Sequence, residues 1–308
     1  MSDLIAFSRL RIPRLWGTLT FLAAWLLPFL PAFSVRARTN ASFFVHRRDA
    51  IGRHIAKYGM HEPLVTRWIA EYLDGRTDAL VVDVGANLGW HAVHAALHHQ
   101  VDTVVAFEPD PFNAWLLERN KTANGVDNLI LDSRCVGAAP GVAKLYRYKC
   151  SNGGRHSVAV DHGFGVSLVP MTDLDSALDS LGMADRSIAL VKIDVEGYEP
   201  SVIAGASRAL ERTDAVILEH SPDWSRGGGL PVEDSLRALA ATGFVPHVLL
   251  EGGGLARTNF EALLGFEGSL DVVCLRISRL GAAASHVKET ADNVVLLQAI
   301  AERNKHLK

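Results

Sequence analysis

The 308 residues include only three cysteines, Cys135, Cys150 and Cys274, far apart and in no C-x-x-C pair. That excludes a disulfide framework and a cysteine-held metal cluster, and it suits a reducing compartment. An excess of either charge is missing too, with 31 Lys and Arg against 34 Asp and Glu for a net −3. Nothing in that balance draws the chain to nucleic acid. The G-x-G-x-x-G dinucleotide fingerprint is also absent, because Asn87 stands where its second glycine is required. No Tyr and Lys occur in Y-x-x-x-K spacing, which further disfavours a nicotinamide-dependent oxidoreductase. At 48% hydrophobic, the chain can still bury one generous α/β core and carry an appendage.

What is present centres on Val81 to Glu108, VVDVGANLGWHAVHAALHHQVDTVVAFE. An apolar run ends in Asp83, a turn containing Gly85 and Gly89 follows, then a helical pattern, then a second apolar run closed by Glu108. The spacing predicts strand, loop, helix and strand. Glycines let backbone approach a ligand, a helix N-terminus turns its free N–H groups toward the same place, and an acid at the second strand tip suits a ribose diol. The frame D-x-G-x-N-x-G leaves no close room for a pyrophosphate. It favours a nucleoside without phosphates, of which S-adenosylmethionine is the common one.

Before this unit, residues 1–39 hold an uncharged stretch, Leu15 to Val35, flanked by arginines. Its length matches a bilayer crossing, but Pro28 and Pro31 break its second half. Three readings stay open: a segment lying on or dipping into the inner leaflet of a membrane, a true span, and an apolar helix packed on the domain or its partner. The donor is cytosolic, so the catalytic part is expected in the cytoplasm. Residues 40–78 read as a helical bridge, with Ile51, Ile55 and Tyr58 on one face and Leu64, Val65, Trp68, Ile69 and Tyr72 on another.

From 79 to 280 strand and helix alternate, which predicts a mostly parallel sheet covered on both faces. Asp110-Pro111 opens a helix, Asn128 to Asp132 is a strand, and Val142 to Tyr148 is a further extended piece. Cys150 to Pro170 reads as a glycine-rich loop walling a substrate pocket, and Thr172 caps a helix as T-x-x-D. A strand from Ala189 to Ile193 leads to Asp194, Glu196, Gly197 and Glu199, and Ala215 to Leu218 leads to Glu219 and His220. Phe244 to Leu250 and Leu270 to Arg276 are closing strands, and residues 281–308 carry a last helix from about Val287, a candidate homo-oligomer contact or brace.

DVGANLG, AFEPD, the T-x-L-D of Thr172 to Asp175, and KIDVEGYEP followed by a strand ending in Glu219 resemble, in that order, the FkbM family of S-adenosylmethionine-dependent methyltransferases. The resemblance implies an α/β, Rossmann-like class I methyltransferase fold with a seven-stranded sheet. It further implies S-adenosylmethionine as donor and O-methylation of a hydroxyl on a sugar, glycolipid or secondary metabolite. A non-catalytic scaffold that kept this fold is the alternative from another class.

In such a fold Gly85, Ala86, Asn87 and Gly89 approach the methionine part of the donor, Glu108 takes the ribose hydroxyls, Asp83 orients the loop or meets the amino group, and Cys135 and Val136 border the adenine. An attacking alcohol must lose its proton, so a base is required within hydrogen-bond reach. Asp194, Glu196, Glu219 and His220 are the candidates, with His156 in the glycine-rich loop. The same carboxylates could instead hold Mg2+, or Glu196 and Glu199 could simply cap the next helix. His91, His94, His98 and His99 read as surface residues, no carboxylate sharing their face. Lys192, inside a strand buried on both sides, needs a partner, and Glu219 is the expected one.

Overall fold

The structure is a computed structural model that describes residues 32–149, 152–228, 230–251, 253–276 and 287–305, together with scattered residues between 15 and 26 and residue 278. The described chain opens on a hairpin of β1 (Ala32–Arg36) and β2 (Ser42–His46). Then come β3 (Ala79–Val84), β4 (Val101–Phe107) and β5 (Leu129–Asp132). A small separate sheet is made of β6 (Cys135–Val136), β7 (Gly141–Tyr146) and β8 (Val166–Thr172). The large sheet resumes with β9 (Ile188–Ile193), β10 (Thr213–His220), β11 (Phe244–Leu249), β12 (Leu255–Arg257), β13 (Leu270–Arg276) and β14 (Val287–Thr290).

Its order is β14-β12-β11-β13-β10-β9-β3-β4-β5. The run from β5 to β10 is parallel, and β13 lies antiparallel between β10 and β11. These seven strands are the predicted sheet, and β12 and β14 extend it at one edge. After β5 the chain returns to lay β9 on the other side of β3, so the sheet switches direction between β3 and β9. Ligands of open α/β sheets bind beyond the carboxyl ends at such a switch.

β3 (ALVVDV) and β9 (IALVKI) are buried along their whole length, as parallel strands covered on both faces must be. Side chains alternate between two cores. Val81, Leu190, Ala215 and Ile217 face the layer formed by the β1–β2 hairpin and the helices Ala50–Tyr58, Pro63–Leu73, Trp90–Ala96 and Pro111–Asn124. Val82, Val84, Val191, Ile193, Val216 and Leu218 face the other layer, which includes the helices Leu174–Ser180, Glu199–Ala204, Val232–Ala241 and Val294–Asn304. The polar members of the central strands, Asp83 and Lys192, sit opposite each other in register on the first face.

Several expectations need correction. Most of the apolar stretch from Leu15 to Val35 lies outside the described residues, but its end is β1, a strand whose Val35 is buried against the first core. Among the described residues no helix is long and apolar enough to cross a membrane. The piece read from Val142 to Tyr148 is β7 of the small sheet, and the loop expected up to Pro170 ends in β8. Asp173, not Thr172, caps the following helix, accepting from the Ser176 N–H at 2.7 Å. The helix expected from Val287 starts at Val294 after an Asn293 cap, and Val287–Thr290 is β14. That helix buries Leu297 and Ile300 in the second core, so it belongs to the domain's own packing.

Candidate active site

The loop after β3 is built by backbone that a side chain would spoil. Gly85 has φ +84°, and a Cβ there would lie 1.9 Å from the Asp194 carbonyl oxygen. The N–H groups of Gly85 and Ala86 donate to the Phe107 carbonyl at 3.0 and 2.9 Å, tying the loop to β4. Asn87 adopts a left-handed conformation with φ 52°, its N–H donating to Glu108 Oε2 at 2.8 Å, and its own Oδ1 accepts from Leu88 N–H at 2.6 Å. Gly89, φ +86°, closes the turn against Leu117.

Glu108 uses its other oxygen to accept the Asp110 N–H at 2.8 Å. Burial pushes its carboxyl up to about 8, helped by the nearby Asp110 and opposed by the two N–H donors. Asp110 then caps Pro111–Asn124, as predicted.

Gly85, Asn87, Glu108, Asn113, Arg134, Cys135, Val136, His156 and Tyr198 line a narrow cleft of about 50 Å³ beside the switch point. Arg134, absent from the sequence prediction, is held bidentate by Asp132, with contacts between 2.6 and 3.1 Å. Cys135 is buried, and that burial lifts its thiol to about 12, so it is a wall and not a nucleophile. His156 Nδ1 accepts from the Tyr148 N–H at 2.9 Å, and its Nε2 is 4.0 Å from Asp110. It therefore borders the cleft with one nitrogen already engaged.

A second cavity, of about 330 Å³, shares Gly85, Asn87, Gly154, Asp194 and Glu196 with the cleft. On one side oxygens of Asp194, Glu196 and Glu219 all lie within 4.8 Å of one another, in reach of a shared ion. Burial, with Glu219 and Asp194 close by, holds the Glu196 carboxyl well above the usual carboxylate range. Its backbone is left-handed, φ 52°, a conformation that costs a non-glycine residue on the order of 1 kcal/mol and is found more often at functional sites. On the other side stand His54, His61, Glu62, Trp90 and His91. Ala86, expected with the loop, lines this cavity.

Three assignments change. His220 follows Glu219 directly and so points to the opposite face. It is wholly buried, with Nε2 against the Phe266 carbonyl at 3.2 Å, and is no candidate base. Asp83 is 2% exposed and borders neither cavity. Lys192 pairs with Asp194 at 3.0 Å and Asp83 at 3.9 Å rather than with Glu219. Burial disfavours the ammonium, but those carboxylates and Glu62 outweigh it and raise its pKa.

His91 and His98 are buried and meet carboxylates from another helix boundary, Glu62 at 2.8 Å and Asp74 at 3.1 Å. His94 spans Trp90 O and Thr39 Oγ1, each at 2.7 Å, and only His99 keeps the expected exposure. Spacing within one helix cannot reveal partners supplied by a different element.

Glu199 lies beneath the carboxylate group, accepting N–H bonds from Val195 and Gly197 at 3.2 and 3.1 Å. Burial and then the nearby Glu219 lift its carboxyl to about 8. The folded protein therefore binds a proton there that the unfolded chain releases above its ordinary pKa near 4.5. This stabilisation is complete below that value and is lost as pH rises through about 8. Urea titrations from pH 5 to 8.5 are expected to show unfolding free energy falling by on the order of a few kcal/mol, with a flatter profile for Glu199→Gln. Equal slopes for the two proteins would refute the assignment.

Residues 83–251, over half of the chain, match the family described as the methyltransferase FkbM domain. An rRNA methylase from Streptococcus thermophilus is 12% identical, with 69% of this chain and 94% of that one covered at a TM-score of 0.40. Precorrin-6y C5,15-methyltransferase from Geobacter metallireducens GS-15 is 13% identical, with 68% and 88% covered at 0.39. M. jannaschii TYW2 in complex with AdoMet is 11% identical, with 80% and 87% covered at 0.37. Likenesses this slight have no bearing on activity. No curated protein matches the chain.

Proposed function

The chain belongs to the methyltransferase FkbM family and is an S-adenosylmethionine-dependent methyltransferase, and from that premise we propose that it methylates a hydroxyl of a sugar, glycolipid or secondary metabolite. The observation that carries this reading is the cavity of about 330 Å³ that opens off the cleft through a shared wall of Gly85, Asn87, Asp194 and Glu196. Its carboxylates Asp194, Glu196 and Glu219 match an acceptor rich in hydroxyls.

The residues present fit the donor. Gly85 and Asn87 line the cleft together with Glu108, whose buried carboxyl group stands beside it. When bound, the donor supplies an electrophilic methyl group on a sulfonium. Gly85, Ala86 and Asn87 would border its methionine part, Gly89, which lines neither cavity, would only close that turn, Glu108 would take the ribose hydroxyls, and Cys135, Val136 and Arg134 would border the base. Asp194 and Glu219 orient the acceptor hydroxyl and receive its proton. The ammonium of Lys192 donates to Asp194 at 3.0 Å and fixes the direction of that carboxylate.

A magnesium-assisted version has one observation in its favour, the close approach of the Asp194, Glu196 and Glu219 oxygens. A divalent cation there would take the place of the proton that Glu196 retains and would make the acceptor hydroxyl more acidic.

Methyl-labelled donor incubated with the protein and the polar fraction of a cell extract is expected to label a hydroxylated small molecule or glycan. Asp194→Asn should lower that turnover by about 10²-fold or more while donor affinity changes by less than about fivefold. Turnover that survives the substitution would remove Asp194 from the chemistry, and turnover indifferent to EDTA would remove the metal.

A further inference from the structure

The donor's amino-acid end carries a positive ammonium group, and meeting it was one of the two roles the sequence offered for Asp83, the other being to orient the loop. The structure closes that route, since Asp83 is 2% exposed, sits opposite Lys192 in the ladder and borders neither cavity. A ligand with its ribose at Glu108 that continues across Gly85 and Asn87 passes into the larger cavity. That cavity is lined, besides Ala86 and Leu88, by His61, Glu62, Trp90 and His91.

We propose that Glu62 receives the α-ammonium group of the donor's methionine end, with His91 and His61 holding the carboxylate in place. This goes beyond the donor reading above and rests on it. Glu62 lies upstream of the family match at residues 83–251, so nothing in that match assigns it a role.

Three features support the assignment. Glu62 Oε2 accepts from His91 Nε2 at 2.8 Å, and Oε1 lies 3.8 Å from His61 Nε2, so the carboxylate is clamped while its side chain keeps 16% exposure into the cavity. Both rings beside Glu62 have a buried Nδ1 without a partner.

The third feature is the backbone. Glu62 has φ 42°, in the left-handed region, immediately before Pro63. Asn87 and Glu196, which share this cavity, are left-handed as well. Strained positions gathered on one ligand cavity mark side chains that are aimed rather than merely accommodated.

Charge supports the same reading. Burial works to raise the Glu62 carboxyl, but His61, His91 and Lys192 outweigh it and hold it well below the usual carboxylate range.

Calorimetry on the full chain tests the proposal with three ligands: S-adenosylhomocysteine, its deaminated analogue, and 5′-methylthioadenosine, which lacks the amino-acid end. Wild type should prefer S-adenosylhomocysteine over the deaminated analogue by about 10- to 100-fold. Glu62→Gln should weaken S-adenosylhomocysteine by a similar factor, leave 5′-methylthioadenosine within about twofold, and abolish the preference for the amino group. Loss of both ligands in equal measure would reduce Glu62 to a structural prop and overturn the proposal, as would undiminished binding of S-adenosylhomocysteine. If the variant fails to fold, the wild-type ligand pair decides with His91→Gln, which keeps the carboxylate and loosens its clamp. A wild type indifferent to the amino group sinks the idea, and a preference that shrinks in His91→Gln upholds it. Wild type that binds 5′-methylthioadenosine but ignores the amino group defeats this inference alone. Wild type that binds none of the three defeats the donor reading too.

Discussion

Replacing Gly85 with alanine is expected to lower the melting temperature by on the order of 10 °C and to abolish measurable donor binding. The added Cβ would lie 1.9 Å from the carbonyl oxygen and 2.9 Å from the carbonyl carbon of Asp194, at a φ of +84°. Neither neighbour is the free end of a side chain. Both are backbone at the tip of β9, where the Asp194 N–H donates to the Val84 carbonyl at 3.0 Å. Relief would have to come from parting β3 and β9 at the point where the cleft begins, at a cost of at least about 3 kcal/mol. Gly75→Ala separates the two sources of strain, because Gly75 has a similar φ of +78° but an added Cβ there would meet nothing within 4 Å. That change should cost only about 1 kcal/mol. Melting curves with S-adenosylhomocysteine titrations provide the comparison, and equal losses for the two variants would show that the close approach is not what matters.

Removing the Glu108 carboxylate should weaken donor affinity by about 10²-fold or more, because the ribose loses its acceptor and the loop loses its pin. Glu108→Ala leaves the N–H groups of Asn87 and Asp110 without the oxygens they donate to at 2.8 Å. The pH dependence carries a sign. Burial holds this carboxyl near 8 in the free protein, and hydroxyl donors favour its ionised form, so donor binding should release a proton below that pH and tighten as pH rises from 6 to 8. Calorimetry in buffers of different ionisation enthalpy measures the proton directly, and its absence, or affinity retained by the alanine variant, would take Glu108 out of the donor site.

Much of the framework can be read in the sequence for a physical reason. Central parallel strands are buried on both faces, so β3, β4, β9 and β10 appear as apolar runs, and their polar ends at Glu108, Asp194 and Glu219 declare the carboxyl edge. His220 was legible as well, since adjacent strand residues face opposite ways and only one of Glu219 and His220 can enter the cavity. Other features carry no local mark. Glu62 precedes a helix whose pattern speaks only of packing, and its partner His91 is brought to it by the fold from 29 residues away. The β1–β2 hairpin is hidden because β1 lies at the end of an apolar run that reads equally well as helix, and two five-residue strands paired only with each other leave little periodicity.

The facing pair Asp83 and Lys192 has a consequence for how the sheet assembles. Both project toward the layer that holds the ligand cavity, while their neighbours Val82, Val84, Val191 and Ile193 project into hydrocarbon on the other side. Sliding one strand past the other by a single residue would swap those faces and bury an ammonium or a carboxylate among aliphatic side chains, far from any counter-charge. One lysine and one aspartate therefore act as a key cut for a single alignment, and a chain that has found that alignment has, in the same act, aimed its glycine turn and its acidic tips at one point.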